Sequence, residues 1–198
     1  MVDGRSKALL RSGARAGDDL YVSGTLGDAR LALEVLRGTV VVSAPLFAIA
    51  RSRLEQPTPR IALGLALRGI ATAAIDVSDG LLGDLGHILQ QSGVGASVDT
   101  DRATALVAAH AYCAKSDDPV DRRITPDQWL AWALAGGDDY ELLFTAPASA
   151  RAQIAHAAQT SQTPVKRIGQ IEQHSGLRLV NGAGLAVPNR YRSFDHFA

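Results

Sequence analysis

Apolar positions along this chain follow two spacings. Short apolar or alternating runs at Asp19–Ser23, Ala71–Ile75, Val94–Val98, Leu142–Thr145, Val165–Ile171 and Leu177–Val180 predict strands. Between them, apolar residues recur at helical intervals. Leu81, Leu82, Leu85, Ile88 and Leu89 mark one helix, and Leu46, Ile49, Ala50 and Leu54 another, behind Ser43 and Pro45. Further helices are predicted over Ala29–Leu36 (closed by Gly38), Ile61–Gly69, Ala103–Ala114, Pro126–Leu134 and Ala150–Gln159. The last two strands, joined across Gln173–Gly176, predict a hairpin. Strands and helices alternate irregularly, so the expected fold class is α+β, a mixed β-sheet packed with α-helices.

The 198 residues suit one large domain or a domain with appendages. With 46% hydrophobic and 20% charged residues, they can fill a core. Twenty basic and twenty acidic side chains give a formal net charge of zero, which argues against a dedicated nucleic-acid partner. One cysteine, Cys113, excludes an intramolecular disulfide framework or a cysteine metal cluster. No apolar run reaches signal-peptide or membrane-span length, so no membrane partner is expected and a cytoplasmic location is the default.

Chemistry concentrates at two junctions. Ala74-Ile75-Asp76-Val77-Ser78-Asp79-Gly80-Leu81-Leu82 reads as strand, polar turn and first helical turn. A helix N-terminus attracts anions, and carboxylates placed there can hold Mg²⁺, which shares its oxygen ligands with phosphate. Ser78 or Asp79 can equally serve as a plain helix cap. Asp76, ahead of the cap at a strand's carboxyl end, favours a metal or phosphate site. The second junction is Gly136-Gly137-Asp138-Asp139-Tyr140-Glu141, where paired glycines permit positive φ and three carboxylates precede a strand. Its alternative reading is a helix stop and a polar loop. The turn Gly24-Thr25-Leu26-Gly27-Asp28 matches neither a P-loop nor a dinucleotide fingerprint. Arg60 can pair with phosphate or carboxylate, the apolar surroundings of His110 suggest packing, and the aromatic end of the chain suggests a tail folded back on the body.

Taken in order, Arg11-Ser12-Gly13-Ala14, Gly17-Asp18, Tyr21 to Asp28, Pro59-Arg60, Asp76 to Leu81, Gly136 to Leu142 and Asp195-His196-Phe197 resemble the thiamine-monophosphate kinase family. That family belongs to the aminoimidazole-ribonucleotide synthetase superfamily. The resemblance implies ATP-dependent phosphorylation of thiamine monophosphate to thiamine diphosphate, with Mg²⁺. It implies Asp76 and Asp79 as catalytic Mg²⁺ ligands, Ser78 and Arg11 as ATP contacts, and Asp138 and Tyr191 as contacts to the thiamine moiety. The chain departs from the family pattern where Asp138 stands in a usual glutamate position and Tyr191 where tryptophan is common.

The resemblance implies that the family's N-terminal domain, with further metal-binding aspartates and a dimer-forming sheet, is not expected within these 198 residues. Residues 1–18 are therefore expected to form the junction and 19–198 the C-terminal kinase domain. The resemblance implies a homodimer through the missing domain. Two alternatives are another ATP-dependent reaction on this fold, such as selenophosphate synthesis, and a non-catalytic binding or assembly domain from a truncated gene.

Overall fold

The computed structural model describes residues 8–191; the terminal Asp195-His196-Phe197 lies outside them. Among these residues seven strands form one mixed sheet: β1 (Asp18–Ser23), β2 (Ala73–Val77), β3 (Gly95–Asp99), β4 (Glu141–Pro147), β5 (Val165–Glu172), β6 (Gly176–Val180) and β7 (Ala186–Val187). Their spatial order is β2-β4-β1-β5-β3-β6-β7. All neighbours are antiparallel except β3 and β6. Among the described residues eight α-helices accompany the sheet: α1 (Asp28–Leu36), α2 (Ala44–Glu55), α3 (Ile61–Ala66), α4 (Leu81–Ser92), α5 (Thr100–Thr104), α6 (Ala108–Cys113), α7 (Pro126–Ala135) and α8 (Arg151–Thr160). The α+β expectation therefore holds.

Both faces of the sheet's centre are covered, and all six residues of β1 are buried. On one face Leu20, Val22, Ile75, Val77 and Leu143 meet Leu81, Leu85 and Ile88 of α4. On the other, Tyr21 and Phe144 stack with ring centroids 5.2 Å apart and pack against Leu63 and Leu67 around α3 and Ile154 of α8. A separate helical cluster joins α1, α2, α6 and α7 around Leu31, Leu46, Trp129 and Trp132. His110 packs against Trp129 there, as its apolar surroundings suggested.

The predicted terminal hairpin is corrected. β5 and β6 do not pair with each other; β3 lies between them, antiparallel to β5 and parallel to β6. Glu172 and Gly176 flank the same residue, Gly95. A Cβ on Gly95 would sit 2.0 Å from the His174 carbonyl oxygen, so only glycine lets residues 173–175 cross the head of β3. Periodicity reports which faces are buried and not which neighbour a strand takes.

The predicted helix Ala103–Ala114 is likewise two helices. The buried Asp28 carboxylate accepts the N–H groups of Ala108 (3.2 Å) and Ala109 (2.8 Å), restarting the helix at α6. Within the polar loop 116–124, Asp121 is buried and accepts the Ser43 N–H (2.7 Å) and hydroxyl (2.8 Å) at the start of α2. Thus aspartates distant in sequence hold the N-terminal ends of both α2 and α6.

Candidate active site

The two acidic junctions meet in space because β2 and β4 are sheet neighbours, with Val77 opposite Glu141. Beyond the paired strands, backbone bonds continue the contact. The Asp138 N–H donates to the Ser78 carbonyl and the Tyr140 N–H to the Val77 carbonyl, both at 2.9 Å. A Cβ on Gly137 would stand 2.5 Å from the Ser78 oxygen, and one on Gly136 2.4 Å from the Trp132 oxygen. The paired glycines therefore admit neighbouring backbone. They do not carry the positive φ expected of them; Asp138 (67°) and Tyr140 (52°) do. Left-handed backbone at non-glycine residues stores strain of about 1–3 kcal/mol each and clusters at functional sites.

Beside this double loop lies a cleft of about 340 Å³, lined by Arg30, Leu33 and Arg37 of α1 and its C-terminal end, Ser78 and Asp79 of the β2–α4 turn, and Gly137, Asp138 and Tyr140. Three of the expected site residues, Ser78, Asp79 and Asp138, thus share one cavity. Glu34 ties the α1 wall together, accepting from Arg30 Nε at 2.7 Å with Arg37 3.5 Å away. The Thr39 hydroxyl and these guanidiniums hold its carboxyl below the usual range, against its burial. Arg30, Leu33 and Arg37 escaped the sequence reading, although their spacing by three and four places them on one helix face.

The other expected residues lie elsewhere. Asp76 is exposed at the end of β2 and, by strand alternation, points to the face opposite α4. Arg11 is exposed on a segment along the outer edge of β2, where the Leu10 carbonyl accepts the Ala74 N–H at 2.8 Å. Ser92 Oγ fixes the same segment by accepting from Gly13 and Ala14, each at 3.2 Å. The Tyr191 hydroxyl donates to Asp127 at 2.9 Å, in the first turn of α7. Asp138 follows the opposite end of that helix, so the structure does not bring Tyr191 and Asp138 together.

Two of the three carboxylates in the second junction serve the fold. Asp139 is wholly buried and accepts the Gly27 N–H at 2.9 and 3.0 Å, ahead of α1; burial drives its carboxyl well above the ordinary range. Glu141, also wholly buried, receives Arg60 through two nitrogens (2.6 and 2.7 Å), Arg53 (2.7 Å) and the Ser23 hydroxyl (2.6 Å). A Cβ on Gly24 would overlap that carboxylate at 2.0 Å. Arg60 pairs with carboxylate, and the Tyr21–Asp28 turn is the other wall of this network.

The N-cap position of α4 is held by Gly80, with φ 114°, and not by Ser78 or Asp79. The relation runs the other way: Asp84 Oδ2, in the helix's first turn, accepts the N–H groups of Ser78 (3.0 Å) and Asp79 (3.1 Å). Burial, with the charges of Asp79 and Asp76, raises the Asp84 carboxyl against the pull of those bonds. Among the described residues no group of three or more His, Cys, Asp or Glu forms a metal cage. Of the expected metal ligands Asp79 lines the cleft beside Ser78 and Asp76 does not, so a hard cation there would draw most of its shell from phosphate and water. No helix among the described residues is long and apolar enough to cross a membrane.

A mixed sheet whose strand-to-helix turn presents a carboxylate and a hydroxyl to a cleft places the chain in a class. It belongs to the family AIR synthase related protein, C-terminal domain, whose model matches residues 15–181. Within that family the motif resemblance is borne out. The chain is 43% identical over 194 residues to the thiamine-monophosphate kinase of Salmonella typhimurium, covering 97% of this chain and 56% of that relative. The crystal structure of thiamine-monophosphate kinase from Stenotrophomonas maltophilia K279a superposes with a TM-score of 0.77 at 42% identity, over 93% of this chain and 55% of that one. AaThiL complexed with AMPPCP and TMP gives 0.69 at 31% identity, over 96% of this chain and 54% of that one. The chain therefore spans about half the length of the relatives it matches.

Proposed function

We propose that this chain is the C-terminal half of an ATP-dependent thiamine-monophosphate kinase, transferring a phosphoryl group to the substrate's phosphate to form thiamine diphosphate. The observation that carries the reading is the single cleft joining Ser78 and Asp79 to Asp138. The AMPPCP and TMP bound by a structural relative support a nucleotide and a phosphorylated co-substrate.

Phosphoryl transfer asks for positioning and charge neutralisation more than covalent chemistry. In this reading Asp76 and Asp79 hold Mg²⁺ at the strand end, and Ser78 and Arg11 contact ATP. Mg²⁺, when bound, would supply positive charge that neutralises the phosphates. Arg30 and Arg37 add positive charge along the cleft. Asp138 faces the cationic thiamine moiety, with Tyr140 alongside. Tyr191, the other residue proposed for that moiety, is bonded to Asp127. The acceptor phosphate is already an anion, so no general base is required. Residues 1–18 act as the junction to an N-terminal domain that supplies further metal ligands and the homodimer contact.

The test joins the unmatched part of the Salmonella typhimurium relative to this chain. The fusion should convert thiamine monophosphate and ATP to thiamine diphosphate, whereas the 198 residues alone should give none above background. Asp79→Asn in the fusion should abolish turnover. A folded fusion that is inactive on thiamine monophosphate overturns the reading.

A further inference from the structure

We infer that Arg151, Arg167 and the apolar flank of α8 form a second ligand site, which takes a small aliphatic monocarboxylate. The site lies at the other end of the sheet from the cleft. Asp19, which anchors it, stands opposite Ala146, whereas β4 leaves the cleft loop at Glu141, roughly 17 Å back along the same strand. Its chemistry is independent of the reaction proposed for the cleft.

Asp19 has no solvent exposure, and four bonds fill its carboxylate. They come from Arg151 Nε (2.6 Å) and Nη2 (3.0 Å), Arg167 Nη1 (3.0 Å) and the Tyr21 hydroxyl (3.2 Å). A carboxylate offers about four lone-pair positions, so Asp19 can accept no further donor. The guanidiniums are not exhausted in the same way. Arg167 spends one nitrogen on Asp19, and its other two make no hydrogen bond among the described residues. The charges do not balance either. The two arginines hold Asp19 ionised, and burial keeps the Tyr21 phenol neutral, so two positive charges face one negative charge. Beyond Arg167, Arg102 is matched by Asp99 at 3.0 Å, and that pair supplies no spare anion.

A cavity of about 250 Å³ opens beside this surplus charge. Arg151 and Arg167 line it together with Tyr21, Ile154, Ala158 and Val165, so a cationic end adjoins an apolar wall. Each feature selects the ligand. A guanidinium is a planar fork that matches a carboxylate. One surplus positive charge balances a monoanion, whereas a phosphate dianion would leave negative charge against the aliphatic side chains. The volume falls short of the roughly 300–1,000 Å³ of pockets for drug-sized ligands, so the apolar body is short.

The test titrates the isotope-labelled 198-residue chain with 3-methylbutanoate at constant ionic strength and follows the backbone amides. Saturable shifts are expected at Tyr21, Ile154, Ala158 and Arg167, with a Kd of about 1 mM or below, and none at Ser78 or Asp138. Two probes separate the parts of the ligand. 3-Methylbutan-1-ol has the body without the charge, and inorganic phosphate has charge without the body. Each should bind at least about tenfold more weakly, the scale of one charged hydrogen bond. Arg167→Gln leaves both bonds from Arg151 to Asp19 and should weaken 3-methylbutanoate about tenfold. Ala158→Leu fills the cavity from a half-buried helix position, keeps both guanidiniums and should abolish binding. If Arg167→Gln fails to fold, Ala158→Leu decides. A native chain without saturable shifts overturns the inference, as does phosphate or the alcohol binding as tightly as 3-methylbutanoate. So does native affinity in either folded variant. None of these outcomes touches the kinase reading, which stands or falls on turnover by the fusion.

Discussion

Arg60 grips Glu141 with two nitrogens, Nε to Oε2 at 2.7 Å and an Nη to Oε1 at 2.6 Å, on a carboxylate with no solvent exposure. This pair ties the segment before α3 to the first residue of β4, immediately behind the cleft loop. Arg53 reaches the same carboxylate with a single nitrogen, and its buried Nε has no hydrogen-bond partner among the described residues. Removing one partner of a buried ion pair leaves the other uncompensated, at about 3–5 kcal/mol. Glu141→Ala should therefore destabilise the chain by an amount in that range. Arg60→Ala should cost more than Arg53→Ala, because it removes two short bonds to the carboxylate, whereas Arg53 makes one there and a longer one, 3.3 Å, to the Asp139 carbonyl. Urea unfolding of the three variants checks the ranking. A costlier Arg53→Ala would mean that packing of its stem, and not the ion pair, dominates.

Gly95→Ala tests the crossing of β3 by residues 173–175. The added methyl would overlap the His174 oxygen at 2.0 Å and the Gly176 oxygen at 2.6 Å, both backbone atoms. Overpacking costs about 1–3 kcal/mol where side chains can adjust, and backbone adjusts less. The expected result is a loss at or above the upper end of that range, with amide exchange quickened first in β6 and β7. Gly38→Ala is a control with open space about it, where only the backbone cost of a φ of 74° applies.

Much of the fold was legible because burial imprints periodicity. Ala73, Ile75 and Val77 alternate with Ala74 and Asp76, and Leu81, Leu85 and Ile88 repeat at helical spacing, so β2 and α4 stand close to where they were expected. Pairing was not legible. The chain's route over Gly95 depends on a missing side chain, which reads in sequence as one more turn glycine. The motifs also marked the cleft, but not which carboxylates face it. Asp138 lines it while Asp139 and Glu141 turn inward, a choice made by two left-handed residues and two backbone bonds. Asp84 looked like an ordinary polar residue in a helix, and only the distances to Ser78 and Asp79 reveal its part.

Asp19 and Asp139 are both fully buried, yet they respond to pH with opposite sign. Burial pushes the Asp19 carboxyl up, but hydrogen bonds and charge from Arg151 and Arg167 outweigh it and hold the group below its ordinary value. Its stabilisation is present above the unfolded-state value of about 3.9 and is lost as pH falls through the lowered folded value. For Asp139, burial, aided by the nearby Asp28 carboxylate, outweighs the N–H groups of Gly27 and Ala29 and the charge of Arg53 and holds its carboxyl well above the ordinary range. Its contribution is present below the unfolded value and is lost as pH rises through the folded one. Replacing Arg151 and Arg167 together by Gln should move the acid unfolding midpoint to higher pH. Asp139→Asn should flatten the stability curve on the neutral side of pH 4 while leaving the acid midpoint in place. Unfolding free energies measured across pH separate the two effects, and an Asp139→Asn curve parallel to the native one would assign the neutral-side slope to other groups.

Asp138 offers a way to separate stability from recognition. Its φ of 67° is strained for any side chain, and its N–H is spent on the Ser78 carbonyl, so the conformation is imposed by the loop and not chosen by the residue. Glycine adopts this backbone without the steric cost of a Cβ, although it brings more freedom to the unfolded chain. Asp138→Gly should therefore fold with stability within about 1 kcal/mol of native. In an active fusion it should raise KM for thiamine monophosphate by about tenfold, the scale of losing one charged contact, with KM for ATP nearly unchanged. Asp138→Ala should raise the same KM while keeping the strain, and so be the less stable of the two. Asp138→Glu restores about 1.5 Å of reach, one C–C bond, and should match or improve on native substrate binding. Steady-state kinetics beside thermal unfolding distinguishes the outcomes. A change confined to the KM for ATP would move Asp138 to the nucleotide side of the cleft. A large stability loss in the glycine variant would show that its carboxylate supports the loop instead of the substrate.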